Sequence, residues 1–308
     1  MNGRRIELAT MNHHYMFYDL DVFFENASKL GYPCVELWTS PQHFFMDYQQ
    51  NDPTERVLAL MDKFGVRVHG ICPEQCNPKP HNMAAKDKSI QNRTLAYFTR
   101  AIDVAKTLGA SQVLVTSGWA YYDEPVEQAR ERSASMLKKV AHYAESQGIN
   151  LAIEALRAPE SRIANTVKDL ELLLEMVDET ALKVCLDIGA MVSAGDTIQG
   201  YFDAFGANLI HSHYVDTGER SLHLALGDGN RNIAEDIMTF ERNGYTGVLS
   251  VECTDSETLT NPMAADARSM SAYLEAYRSI EGIEAVSYTH LVMTSSALRV
   301  VICSVTRS

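Results

Sequence analysis

Eight short, mostly apolar runs punctuate this 308-residue chain, at residues 6–10, 34–38, 67–72, 112–116, 150–154, 182–187, 209–213 and 248–252. Longer amphipathic stretches separate them, among them residues 87–108, 125–147 and 166–177. A strand that is apolar along most of its length is buried on both faces, as happens in a parallel sheet covered by helices. Gly31, Gly65, Gly109, Gly148 and Gly244 stand just ahead of the next run, where a helix C-terminus takes a left-handed residue. No Pro/Gly/Ser-rich linker divides the chain, so a second domain has no place to begin. The expected fold is α/β, a single (β/α)8 TIM barrel, for which this length is ordinary.

With 46% apolar and 22% charged residues, the chain can bury a large core. Acid dominates: residues 1–284 hold 25 Lys and Arg against 40 Asp and Glu, a formal charge of −15, because the last two arginines lie beyond them. Such a surface repels a phosphate backbone, and nucleic acid is not an expected partner. The six cysteines, at 34, 72, 76, 185, 253 and 303, form no paired framework, and Cys72 and Cys76 stand four apart rather than in CxxC. Reduced thiols in a cytoplasmic protein are expected. The opening MNGRRIELAT has no long apolar segment before a cleavage site. Nowhere does the chain approach the roughly 18 apolar residues that span a bilayer, so no membrane association is expected. From Glu284 onward, EAVSYTHLVMTSSALRVVICSVTRS drops the helical pattern and the acidic character together. The expected organisation is a barrel domain over residues 1–282 and an appendage over 283–308 of non-native read-through origin, with a genuine extension as the alternative.

Four successive runs end on side chains that bind cations: Glu154 in LAIEAL, Asp187 in KVCLDIG, His213 in LIHSHYVD and Glu252 in LSVECT. Any one alone reads as a solvated or capping residue. In a parallel barrel, however, the ends of strands 5, 6, 7 and 8 are neighbours around one mouth and can converge on one ion. Three carboxylates and an imidazole suit one divalent cation of the hard or borderline kind, Mn²⁺, Mg²⁺ or Co²⁺. Polarising a hydroxy-ketone in this way favours loss of a carbon-bound proton and an enediolate. Glu154 and Glu252 lie on different strands and can flank such a sugar, one removing the proton and the other returning it on the opposite face. With only one competent face the outcome is aldose–ketose isomerisation instead, and spacing leaves both open.

Over residues 5–280 the sequence resembles the xylose-isomerase-like sugar epimerases, and within them the fructoselysine 3-epimerases. The resemblance rests on GYPCVELWTSPQHFF, GICPEQCNPKPHNM, IEALRAPES, DIGA, HSHYVDTGERSLHLALGDG and NGYTGVLSVE. It implies a 3-epimerase in which Glu154, Asp187, His213 and Glu252 bind the metal, the two glutamates exchange the proton, and the subunits form a homo-oligomer. It also implies a substrate-binding role for Glu160, six residues past Glu154. Tagatose and psicose 3-epimerases are similar at greater distance. They carry a histidine where this chain has Ala190, and a substrate-binding arginine with which Arg220 is out of register. The segment after strand 7 instead offers Asp216, His223 and Asp228, which resemble the fructoselysine branch and imply substrate contacts.

Glu36, taken as the end of strand 2, and Glu74 just past strand 3 are candidates for an acidic pocket rim suited to the amine of a lysine conjugate, with Trp38 as an apolar wall. His69, inside strand 3, reads as a core histidine. His13 and His14 stand either as substrate contacts or as an exposed pair. Hydroxypyruvate isomerase and inosose dehydratase chemistry compete on the same barrel. An endonuclease IV type of nuclease is disfavoured by the acidic charge and by the lack of extra histidines at strand ends. A non-catalytic sugar-binding barrel has no use for two opposed glutamates.

Overall fold

The computed structural model describes residues 5–75, 77–280 and 282. In chain order these form β1 (Glu7–Met11), α1 (Leu20–Leu30), β2 (Cys34–Trp38), α2 (Glu55–Phe64), β3 (Arg67–Cys72), α3 (Lys88–Leu108) and β4 (Gln112–Thr116). There follow α4 (Val126–Gln147), β5 (Asn150–Glu154), α5 (Val167–Val177), β6 (Leu182–Asp187), α6 (Ile188–Ala194), α7 (Ile198–Phe205), β7 (Leu209–His213), α8 (Ile233–Arg242), β8 (Val248–Val251) and α9 (Pro262–Ile280). The strands run parallel in sequence order, and β8 returns to pair with β1, closing a (β/α)8 barrel.

Six strands have the expected bounds. β1 runs one residue later because its ladder with β2 continues to the Met11–Glu36 pair. β8 stops one residue before Glu252 because its last partner on β1, Thr10, faces Val251. Three expected helical stretches start one residue early, since Asp87, Pro125 and Thr166 are caps. Asp87 accepts from the N–H groups of Ser89 and Ile90, and Thr166 forms a reciprocal capping box with Asp169. Gly31, Gly65, Gly109 and Gly148 are left-handed helix caps, whereas Gly244 is left-handed one residue beyond the Asn243 cap of α8. The proposed appendage, Cys76 and Cys303 lie outside the described residues. Cys34, Cys72, Cys185 and Cys253 are buried free thiols. Among the described residues no helix is long and apolar enough to cross a membrane.

Side-chain alternation along each strand sorts the barrel into two cores. Val35, Leu37, Val113, Val115, Leu151, Ile153, Val184, Leu186, Leu249 and Val251 point outward and pack with the helices. Inside the barrel, Ala9, Cys34 and Val248 form one layer, and Met11, Cys72, Leu114, Ala152 and Cys185 another. Two residues past Ala152 and Cys185 come Glu154 and Asp187, and beside them stand His213 at the end of β7 and Glu252 just past β8. The candidate quartet therefore caps the packed interior at its C-terminal mouth.

Closure is reinforced by one buried carboxylate on α9. Asp266 accepts hydrogen bonds from Thr10 Oγ1 at 2.7 Å, Tyr15 Oη at 2.7 Å and Asn26 Nδ2 at 3.3 Å, and lies 3.0 Å from His14 Nε2. It thus ties the last helix to β1, to the turn after it and to α1. Asp266→Ala would take the acceptor from the buried Thr10 and Tyr15 hydroxyls and the partner from His14, and urea denaturation should show a loss of about 3 kcal/mol or more. A loss under about 1 kcal/mol would contradict the assigned role.

Candidate active site

The strand register sets the quartet. Asp187 pairs directly with His213 across β6 and β7, while Glu154 sits beside Cys185 and Glu252 lies two residues past Ser250, the partner of His213. His213 Nδ1 is 3.1 Å from Glu154 Oε2, 3.1 Å from Glu252 Oε2 and 3.8 Å from Asp187 Oδ2. Yet this buried ring nitrogen makes no hydrogen bond. The side chains of Glu154 and Glu252 are 13% and 18% exposed and face a cavity of about 350 Å³, whereas His213 is fully buried. Its other nitrogen, Nε2, lies 3.3 Å from Glu36 Oε2, and Glu36 is also 2.9 Å from His211 Nε2. An imidazole that donates Nε2–H to a carboxylate keeps the Nδ1 lone pair free for a cation.

The charges support the same arrangement. Burial pushes the Glu154 carboxyl up to about 7, and the pull of His213 does not cancel it. Burial acts on Glu252 in the same sense, but His213 and His223 outweigh it and hold Glu252 below the ordinary carboxylate range. At Asp187 burial is likewise overcome, chiefly by His223, and the carboxyl falls well below that range. Desolvation would lower both imidazoles; Glu252 foremost carries His213 well above its ordinary value, and Asp187 carries His223 up to about 9. The cluster thus holds protons on its rings to balance its carboxylates. A divalent cation can take that place, and the oxygen-rich donor set with one imidazole fits it.

The other candidates divide. Trp38, Glu74, Glu160 and His223 line the cavity. Trp38 is fixed by Asn12, whose Oδ1 accepts from its N–H at 2.7 Å and whose Nδ2 donates to its C=O at 2.9 Å, and it packs on His13 with ring centroids 4.6 Å apart. Glu160 accepts from the N–H and Nε of Arg157 at 3.1 and 3.0 Å. His223 Nε2 lies 3.1 Å from Asp187 Oδ2 and 3.8 Å from Glu252 Oε2, joining the cluster itself. Its ring packs so closely on Gly189 that a Cβ there would come within 2.5 Å of Cε1. His13 lines the cavity, while His14 turns away to Asp266.

Two expectations need correction on geometry. Glu36 is no pocket rim: it is 1% exposed and sits behind His213, because its inward position on β2 lies in the layer of His211 and His213. Asp216, also 1% exposed, does not reach the cavity. Its oxygens accept from the backbone N–H groups of Thr217, Gly227, Gly229 and Arg231 at 2.8 to 3.0 Å, which folds the loop that carries His223. Asp228 is likewise occupied elsewhere, in a two-pronged pair with Arg268, and Arg220 pairs with Asp255 and Glu257. His69 does not line the cavity; its ring stands 5.7 Å from that of His211. Sequence reasoning passed over Asn77, Lys79 and Arg157, all at the cavity wall. The available signal was position, since each follows the C-terminal end of a barrel strand.

Comparison with known proteins follows the same lines. The family described as xylose isomerase-like TIM barrel matches residues 24–277. A fructoselysine 3-epimerase of Shigella flexneri is 30% identical over 230 residues, covering 74% of this chain and 83% of that protein. A D-psicose 3-epimerase of Ruminiclostridium cellulolyticum is 28% identical over 212 residues, covering 65% and 67%. The crystal structure of a D-psicose 3-epimerase with D-tagatose from Clostridium cellulolyticum H10 superposes with a TM-score of 0.72 at 20% identity, covering 88% of this chain and 98% of that one.

Proposed function

The chain belongs to the xylose isomerase-like TIM barrel family, and on that premise we propose that it is a divalent-metal-dependent ketose 3-epimerase acting on fructoselysine or a related ketose. The observation that carries the reading is the pair Glu154 and Glu252, each 3.1 Å from the same ring nitrogen and each facing the cavity. Glu154, Asp187, His213 and Glu252 would hold the ion, and their donor set suits Mn²⁺, Mg²⁺ or Co²⁺. Such a cation, when bound, polarises a ketone and its neighbouring hydroxyl and so acidifies the C3–H between them.

The proton transfers fall to the protein. Glu154 comes from the end of β5 and Glu252 from just past β8, so the two carboxylates approach a sugar in the cavity from separate strands. One accepts the C3 proton; the other delivers a proton to the opposite face, which inverts the centre. Asp187 stays charged and buried, with His223 balancing it. Trp38 and His13, their rings tilted by 43°, supply an aromatic wall that would shield the reacting carbon from water. Glu36 acts through His213, setting which nitrogen faces the cluster.

Glu154→Gln and Glu252→Gln keep size and an oxygen but remove a proton carrier, so each should lower kcat by about 10² to 10⁴ in a ketose epimerisation assay. Rates near wild type in both variants would refute the assignment. Glu36→Gln should weaken Co²⁺ binding about 10- to 100-fold in a titration followed by visible absorption. Unchanged Co²⁺ affinity with a raised KM would return Glu36 to the substrate-contact role.

A further inference from the structure

The loop between β3 and α3 brings charges into the cavity that neither proton transfer nor the cation cluster uses. Lys79 lines the cavity and is only 8% exposed. Its ammonium makes one hydrogen bond, to Asn77 Oδ1 at 3.3 Å, and no ion pair among the described residues. An ammonium has three donors, and burying it with so little company is costly unless a partner arrives. Arg157, the other cation on this wall, is already committed to Glu160. Asn77 bridges the two, giving its Nδ2 to Glu160 Oε1 at 3.3 Å while its oxygen takes Lys79. Glu74, from the same loop and lining the same cavity, also has no ion pair among the described residues.

We propose that Lys79 and Glu74 form a subsite for a zwitterionic tail on the ketose, Lys79 receiving a carboxylate and Glu74 an ammonium, as an amino acid joined to a ketose presents. The inference rests on the epimerase reading and narrows its substrate class. A carboxylate is favoured over a phosphate on charge: a phosphate dianion calls for more than one free cation, and Glu74 and Glu160 on the same wall would repel it. A neutral sugar would leave the three-donor ammonium with its single hydrogen bond, to Asn77.

Titration calorimetry on the Mn²⁺-loaded protein reads this subsite without relying on turnover. The probes are fructoselysine, its α-carboxamide, D-fructose and L-ribulose 5-phosphate. Fructoselysine should bind at least about tenfold more tightly than the carboxamide, and Lys79→Met should erase that difference while moving D-fructose binding by less than about twofold. Lys79→Arg should restore part of the preference. Equal binding of acid and amide by the wild type, or an equal loss for every probe in Lys79→Met, would overturn the proposal. Lysine-dependent binding that is tightest for the phosphorylated ketose would overturn it in favour of a phosphate. If Lys79→Met fails to fold by circular dichroism, the acid-to-amide ratio of the wild type decides. Failure of the epimerase reading itself shows separately, as absence of C3 epimerisation of these ketoses by a protein that still discriminates the acid from the amide.

Discussion

Three carboxylates are held within 3.8 Å of one buried imidazole nitrogen, and much of the molecule is arranged to make that crowding tolerable. Like charges at such separation repel strongly in a low-dielectric interior and persist only where positive charge answers them. The His213 ring answers from below, and the two oxygens of Glu36 hold it and His211 in place. His223 answers from above, beside Asp187. The ring of His223 is there because Asp216 gathers four backbone N–H groups and closes its loop over Gly189. Of these supports, Glu36 and Asp216 lie outside the cavity and act on the cluster only through the histidines they hold.

The barrel supplies the rigidity that the cluster needs. Small inward residues, Ala9 and Cys34 low in the barrel and Ala152 and Cys185 higher up, leave room for the interior layers to interlock. The register shifts at Val35/Glu36 and at Val184/Cys185 lie in the strands that carry Glu36 and Asp187. Such irregularities re-aim inward side chains, and here they adjoin the polar layer. Asp266 holds α9 against β1, so the last β/α unit that ends in Glu252 is clamped to the first.

Most of this was legible in the residues because apolar runs that stop on Glu154, Asp187, His213 and Glu252 mark strand ends at one mouth. The C-terminal caps Gly31, Gly65, Gly109 and Gly148 were legible too, whereas Asp87 and Thr166 were read into the helices that they cap. What escaped the sequence depends on side-chain layer and loop path. Glu36 is an acid on a short strand, and nothing local says that the residues opposite it are His211 and His213. Asp216 looks like any polar loop residue until the backbone groups of residues 217–231 curl around it. Lys79 sits in CNPKPHN, where a lysine ordinarily projects into solvent, and only the fold turns it inward.

Removal of a proton from C3 and its return to either face is the chemistry proposed for this site. Proton NMR of the Mn²⁺-loaded protein with fructoselysine in D₂O tests that directly. Deuterium should enter at C3 as the C3 epimer appears. Exchange at C1 with aldose formation, or no exchange with fructoselysine, psicose, tagatose or fructose, would contradict it.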